Sequence, residues 1–289
     1  MRVAVIGSSG YISGFLLERF AREPGIEPVL KIDRSPDADV YLNLEKAEEF
    51  DDQILEGVDF VVFTAAISGP DMCASEFDYC WAVNVTGTSY VIRKALAHGC
   101  RVLFFSSDAV FGDVPGMVYD ENAETRPVTP YGRMKKAIED MFQGEPSFKA
   151  IRLSYVTSAR DRFVSYCLDC IDNRKTAEVF HPFYRNCITV RDVVDTVVWF
   201  AKHWEAYVPS VLNVAGKELV SRVRIADEIN RCLEGALHYT ISRPEEAFYR
   251  NRPAITQIES LYLGKYGILS EDSFTKKFQK ELRERNHEM

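Results

Sequence analysis

Arg2-Val-Ala-Val-Ile-Gly7, then Ser8-Ser9-Gly10, then the run Tyr11-Ile-Ser-Gly-Phe-Leu-Leu-Glu-Arg-Phe20 open the chain and decide its fold. The first run is short, apolar and closed by glycine, as a strand buried on both faces of a parallel sheet requires. Ile12, Leu16, Leu17 and Phe20 recur at helical spacing, so strand, glycine turn and helix follow in order. Such a turn lets backbone N–H groups approach a pyrophosphate, whose charge the helix dipole favours. The spacing is Gly7-x-x-Gly10, with Ser13 where a third glycine would stand and Gly14 one place late. That third glycine allows close helix–strand packing, and serine is small enough to take its place.

A second strand, Pro28-Val-Leu-Lys-Ile-Asp33, ends in a carboxylate 23 residues beyond Gly10. This is near the spacing of the residue that binds adenosine ribose hydroxyls, and Asp33 also reads as a turn residue in Asp-Arg-Ser-Pro. A carboxylate favours NAD, whereas Arg34 beside it suits the 2′-phosphate of NADP, so the sequence leaves both open. Asp59-Phe-Val-Val-Phe-Thr-Ala-Ala66 is a third buried strand, with small residues at its end that would let a flat cofactor approach. A long helix is predicted from Phe77 to His98, carrying Asn84 as a polar residue. Arg101-Val-Leu-Phe-Phe-Ser-Ser-Asp108 is the next strand and places Ser106, Ser107 and Asp108 at the edge where open α/β sheets bind ligands. The expected fold is α/β: a Rossmann-like, doubly wound parallel sheet with a smaller, interleaved C-terminal lobe. The dinucleotide-binding part is expected over residues 1–155, rejoined by 187–215, and the substrate lobe over 156–289. Further helices are expected at Phe163–Asn173, Val190–His203 and Val220–Leu233, and a surface helix from Lys276 to Met289.

Tyr131-Gly-Arg-Met-Lys135, read as helix, puts a phenol and an ammonium one turn apart on one face. A phenol titrates near ~10, too high to exchange protons readily at neutral pH, and a neighbouring cation pulls that value down. Tyr131 is then a candidate general acid or base on a carbonyl or alcohol, within reach of a hydroxyl such as Ser107.

Composition excludes several classes. The net charge of −8 disfavours nonspecific binding to nucleic acid or anionic membrane. No apolar run approaches the ~20 residues a membrane helix needs. The chain opens directly into a strand, so a cytoplasmic location is expected. Seven cysteines are scattered without a disulfide framework. Cys167-Leu-Asp-Cys170 lacks the second pair or nearby histidines of a zinc site, and no metal is expected.

Taken together, Gly7-Ser-Ser-Gly10-Tyr-Ile, Thr64-Ala-Ala66, Asn84-Val-Thr-Gly-Thr88, Phe105-Ser-Ser-Asp-Ala-Val-Phe-Gly112 and Tyr131-Gly-Arg-Met-Lys135 occur in family order. They resemble the extended short-chain dehydrogenase/reductases, the group of nucleotide-sugar epimerases, dehydratases and reductases. Tyr184-Arg185-Asn-Cys-Ile-Thr-Val190-Arg-Asp192 is similar to the family's Arg-x-x-x-x-Val-x-Asp stretch, and Leu212-Asn213-Val214 to its late strand.

The resemblance implies NAD or NADP as cofactor and a nucleotide-sugar substrate. Its roles fall on Tyr131 as acid/base, Lys135 as partner that also holds the nicotinamide ribose, and Ser107 as the hydroxyl that polarises the reacting oxygen. Gly7, Ser9, Gly10, Tyr11, Ile12, Asp33, Arg34, Leu44, Thr64, Ala65, Ala66 and Asn84 stand at cofactor positions. Asp108 would face the substrate, and Arg185 would lie near its nucleotide part. A homodimer through the helices around Phe77–His98 and Tyr131–Phe142 is implied as well.

Dehydratases of the family carry Thr-Asp-Glu where this chain has Ser107-Asp108-Ala109, which disfavours dehydration. Ser106-Ser-Asp-Ala-Val-Phe111 is more similar to the Ser-Thr-Asp-Tyr-Val-Phe of the dTDP-4-dehydrorhamnose reductase branch. An NAD(P)-dependent reductase of a keto-sugar nucleotide is therefore expected. The alternatives are an NAD-dependent epimerase and a non-catalytic, cofactor-binding regulatory subunit.

Overall fold

Val3–Ile6 forms the first strand (β1), with all four side chains buried, in a computed structural model that describes residues 1–285. It pairs in parallel with β2 (Leu30–Asp33) and β4 (Phe60–Phe63). Beyond them β3 (Val40–Tyr41) joins β2, and β5 (Arg101–Ser107) joins β4, again in parallel. The short β6 (Val118–Tyr119) belongs to another sheet, while β7 (Phe148–Leu153) and Val211–Val214 complete this one. Across the sheet the order is Val211–Val214, β7, β5, β4, β1, β2, β3. Strand order therefore reverses between β1 and β4, the place where open α/β sheets leave a crevice at the strands' carboxyl ends.

Helices follow the strands as the alternation demands. α1 (Tyr11–Phe20) buries Ser13, Leu16 and Phe20. The expected helix from Phe77 runs without a gap to Ala97, but one of its turns is π-helical. α2 (Pro70–Ser75) and α3 (Phe77–Trp81) lead into a π-helical turn, Ala82–Gly87, before α4 (Thr88–Ala97). Gly87 supplies one reason for the widened turn. A Cβ built there would stand 1.8 Å from the Leu44 carbonyl oxygen, so the helix can lie against that segment only where it has no side chain.

By its contacts the chain divides into two units. The first comprises Met1–Gly112, Glu124–Arg152 and Val194–Leu212 and holds the sheet just described. The second comprises Asp113–Ala123, Leu153–Val193 and the chain from Asn213 onward. The division differs from the expected one in giving 113–123, 153–155, 187–193 and 213–215 to the second unit.

That second unit is built on α6 (Arg162–Asp172), α7 (Val190–His203, whose later part lies in the first unit), α8 (Arg222–Cys232), the short α9 (Glu246–Tyr249) and α10 (Phe274–Arg285). Asp161 starts α6 by accepting from the N–H groups of Phe163 and Val164. α8 begins later than expected, because Val220 and Ser221 pair as a strand and Ser221 Oγ then caps the helix at Arg224 N–H. The predicted surface helix at the C-terminus is corrected: Phe274, Phe278 and Leu282 are buried with Ile225 and Ile229 of α8. Their four-residue spacing is an apolar stripe that the charge-rich composition concealed. Residues 286–289 of that expected helix lie outside the described residues. Cys167 and Cys170 are buried free thiols. Among the described residues, no helix is long and apolar enough to cross a membrane.

Candidate active site

The glycine turn after β1 is formed for close approach. Gly7 has φ +90°, and a Cβ there would lie 2.5 Å from Ala65 N and 2.6 Å from Thr64 Oγ1. Ser13 is wholly buried, and its Oγ lies 2.9 Å from Thr64 Oγ1. Thr64 Oγ1 is itself 2.9 Å from Ile6 O and 3.1 Å from Gly7 O. Its single proton goes to one of those carbonyls, so Ser13 donates between the two hydroxyls. The serine at the third-glycine position thus ties α1 to the end of β4, which a glycine could not do.

Asp33, at the end of β2, accepts through Oδ2 from Ser9 N–H (3.0 Å) and Ser9 Oγ–H (2.9 Å), and through Oδ1 from Ser35 N–H (3.1 Å). A cavity of about 220 Å³ opens beside these groups. Gly7, Ser9, Gly10, Asp33, Arg34, Leu44, Thr64, Ala65 and Ala66, all expected at cofactor positions, line it. Leu42, Asn43, Tyr79 and Val83 line it too and were missed. The first pair follows the two-residue β3, which carries no periodic signal, and the second pair lies where the helix passes into its π-helical turn.

Tyr11 and Ile12 form the first turn of α1 and are not among the cavity's walls. Nor is Asn84, whose side chain is buried and grips Ile67. Its Oδ1 accepts from Ile67 N–H at 2.8 Å and its Nδ2 donates to Ile67 O at 2.9 Å. Asn84 therefore fixes the chain that leaves β4. No side chain caps α1 at Gly10. A glycine cradle with no room for a Cβ, a helix start without a capping side chain and a carboxylate on the rim fit a dinucleotide.

Later in the chain of the first unit, Thr129 starts α5 (Pro130–Met141). Its Oγ1 accepts from Gly132 N–H at 3.1 Å, and Pro130 occupies the first turn. Tyr131 and Lys135 follow on one face. Gly132 between them is a tight contact, since a Cβ there would be 1.9 Å from Ala109 O. The helix thereby abuts the turn that carries Ser107 and Asp108. Ser107 Oγ donates to Asp108 Oδ1 (3.0 Å) and accepts from Ala109 N–H (3.2 Å).

Lys135 is buried, and its Nζ donates to Phe105 O at 2.6 Å, 4.4 Å from the Phe104 ring centre and 5.7 Å from that of Tyr131. Burial pushes its ammonium down to about 7, and the Glu139 carboxylate is the main influence opposing this. The expectation for Tyr131 is reversed. Burial, then Cys73 and the Asp108 carboxylate, push the phenol well above its ordinary value. The amine sits where it cannot overcome the desolvation of a phenolate.

Arg185 stands in the second unit. It is buried, donates to the carbonyls of Tyr184 (2.6 Å) and Pro253 (2.7 Å), and lies 4.3 Å from the Phe183 ring centre.

The family profile described as "NAD dependent epimerase/dehydratase family" matches residues 3–215, most of the chain. The chain belongs to the NAD-dependent epimerase/dehydratase family. A dTDP-4-dehydrorhamnose reductase of Sinorhizobium fredii is 32% identical over 161 residues, 55% of this chain and 51% of the relative. The chain thus spans about half the length of that family member. A dTDP-4-dehydrorhamnose reductase of Bacillus anthracis, solved in complex with NADP, superposes with a TM-score of 0.83 at 19% identity, covering 98% of this chain and 99% of the other. A UDP-glucuronic acid 4-epimerase variant of Bacillus cereus, solved with NAD and a fluorinated UDP-sugar, has a TM-score of 0.82 at 16% identity, with both chains covered in full (100%). Those two likenesses establish the family's fold in this chain. Membership makes it an enzyme of NAD(P)-dependent chemistry at the level of the family.

Proposed function

We propose that this chain is an NAD(P)-dependent reductase of a keto-sugar nucleotide, delivering hydride to a C4 ketone and a proton from Tyr131. The observation that supports it best is the seating of the Tyr131/Lys135 helix against the Ser107–Asp108 turn, where Gly132 leaves no room for a Cβ beside Ala109 O. Tyr131 is there the proton donor for a ketone oxygen, and Ser106-Ser-Asp-Ala-Val-Phe111 favours the reductase over the epimerase.

The bound dinucleotide supplies the hydride. Everything else falls to the chain's own side chains. Gly7 and the start of α1 would receive the pyrophosphate, and Asp33 would receive the adenosine ribose. Ser107 turns its hydroxyl from Asp108 toward the substrate oxygen, so that Tyr131 and Ser107 bracket the reacting carbonyl. Lys135, one helical turn beyond the phenol, would hold the nicotinamide ribose. Asp108 faces the sugar. Ala109 stands where a dehydratase has its glutamate, leaving no acid there to expel water. Arg185, in the second unit, is assigned to the nucleotide part of the substrate, since a guanidinium binds phosphates well.

The test is a panel of keto-sugar nucleotides incubated with added NADH or NADPH, following loss of the dihydronicotinamide absorbance. Stoichiometric oxidation of added coenzyme supports the reductase. Interconversion of two sugar nucleotides by protein carrying its own NAD, with no added coenzyme, replaces this reading with epimerase. Copurification of a partner enzyme at fixed stoichiometry, with no turnover of any sugar, replaces it with a regulatory subunit.

A further inference from the structure

The inner face of α5 carries a second charged residue that the proposed chemistry leaves idle. Glu139 lies one helical turn beyond Lys135 and is only 7% exposed. Its carboxylate accepts a short hydrogen bond from Ser106 Oγ, the residue that precedes Ser107 on β5. Both its oxygens accept from Arg152 Nε at 3.1 Å, and Oε2 accepts from Arg152 Nη2 at 2.7 Å. Arg152 comes from β7, is equally buried, and lies 5.1 Å from the Phe111 ring centre. One carboxylate therefore joins the serine end of β5, its neighbour β7 and the helix of Tyr131 and Lys135.

We propose that Glu139 is a positioning residue of the active site: gripped by Arg152 and Ser106, it locks the Ser107 strand end against α5 and serves as counter-charge to the Lys135 ammonium. This rests on the reading of Lys135 as a functional residue. A purely structural account of the pair is weak. Two charges buried together gain little stability over apolar residues of similar volume. Arg152 is moreover imperfectly served, since its Nη1 is buried without a hydrogen-bond partner.

What the carboxylate does accomplish concerns the amine. The groups facing Lys135 are the Phe105 carbonyl, the rings of Phe104 and Tyr131, the Cys73 thiol of α2, and Glu139. Glu139 is the largest of the influences that keep the ammonium charged against burial. Neutralising it leaves Lys135 more easily deprotonated. A neutral amine holds a ribose hydroxyl less firmly and no longer offsets negative charge on the reacting oxygen.

The experiment compares the full-length wild type with Glu139→Gln, Glu139→Asp and the double variant Glu139→Gln/Arg152→Gln, in which no unpaired guanidinium remains to unfold the protein. Two quantities are read at each pH: the Lys135 amine titration by ¹³C,¹⁵N-lysine NMR, assigned with Lys135→Arg, and dinucleotide affinity by tryptophan fluorescence. Neither needs turnover, so both report on Glu139 even if no keto-sugar proves to be a substrate. Expected in both Gln variants is a Lys135 midpoint about one pH unit lower and an affinity at pH 7 reduced by up to about fivefold, largely recovered in acid. Glu139→Asp, which keeps the charge, should fall between them and the wild type. A lower melting temperature with an unchanged Lys135 midpoint and an unchanged affinity profile would overturn the proposal and leave Glu139 a packing residue.

Discussion

The Lys135 ammonium donates to the backbone carbonyl of Phe105, 2.6 Å away on the neighbouring strand. This bond explains how an amine can be buried at all, and it orients the side chain along the strand end. Burial sets a pH dependence. It pushes the folded amine down to about 7, below the ordinary 10.5. Between those values the unfolded chain binds a proton that the folded protein has released, so stability rises with pH across that window. Lys135→Met should flatten this rise, as read from melting temperatures between pH 6.5 and 10 (about the window in question). An identical slope in the variant would count against the assignment.

Tyr131→Phe removes the phenolic proton and nothing of the ring's packing. Turnover of any accepted keto-sugar should fall by roughly 10²–10⁴-fold, the usual range for a general acid. Dinucleotide affinity should stay within about twofold by fluorescence titration, because the cradle around Gly7 is untouched. Turnover near the wild-type rate would show that some other group delivers the proton.

Gly132→Ala tests the contact between α5 and the Ser107 turn. The new Cβ would stand 1.9 Å from Ala109 O and 3.1 Å from Pro127 Cβ, so helix or turn must shift. Overpacking of this kind costs about 1–3 kcal/mol. Turnover should drop further than stability does, because the shift separates the groups that must converge on one carbonyl. Arg133→Ala, on the exposed side of the same turn, is the control and should leave both nearly unchanged.

The sequence shows this site unevenly. Gly7, Gly10, Asp33, Thr64 and the Tyr131/Lys135 pair were legible because each follows from a strand end or a helical spacing. The direction of the tyrosine's titration was not, since adjacency along a helix says nothing of desolvation, which outweighs the nearby amine here. Leu42, Asn43, Tyr79 and Val83 escaped because β3 is two residues long and the following helix changes its pitch. The buried stripe Phe274, Phe278 and Leu282 hid among charged residues, of which Lys276, Lys280 and Arg283 are exposed.

Asp33→Ala should alter coenzyme choice. The carboxylate is held by Ser9 and Ser35 at the cavity rim, where it suits a ribose diol and repels a 2′-phosphate. Its removal leaves Arg34 as the charged group on that wall. The ratio of NAD to NADP affinity should shift toward NADP by about tenfold or more, roughly 1.4 kcal/mol, in parallel fluorescence titrations. An unmoved ratio would place the discriminating contact elsewhere.

The wide turn Ala82–Gly87 has a consequence for any attempt to shorten or graft this protein. A π-helical coil holds more residues per revolution than the α-helix that continues it. Deleting a residue there would restore ordinary winding but swing everything downstream by ~100°. Val91, Ile92 and Ala95, now packed inward, would turn toward water, while Asn84 kept its grip on Ile67. The surplus residue is a phase correction, letting one continuous helix meet two fixed appointments that a regular one could not keep together.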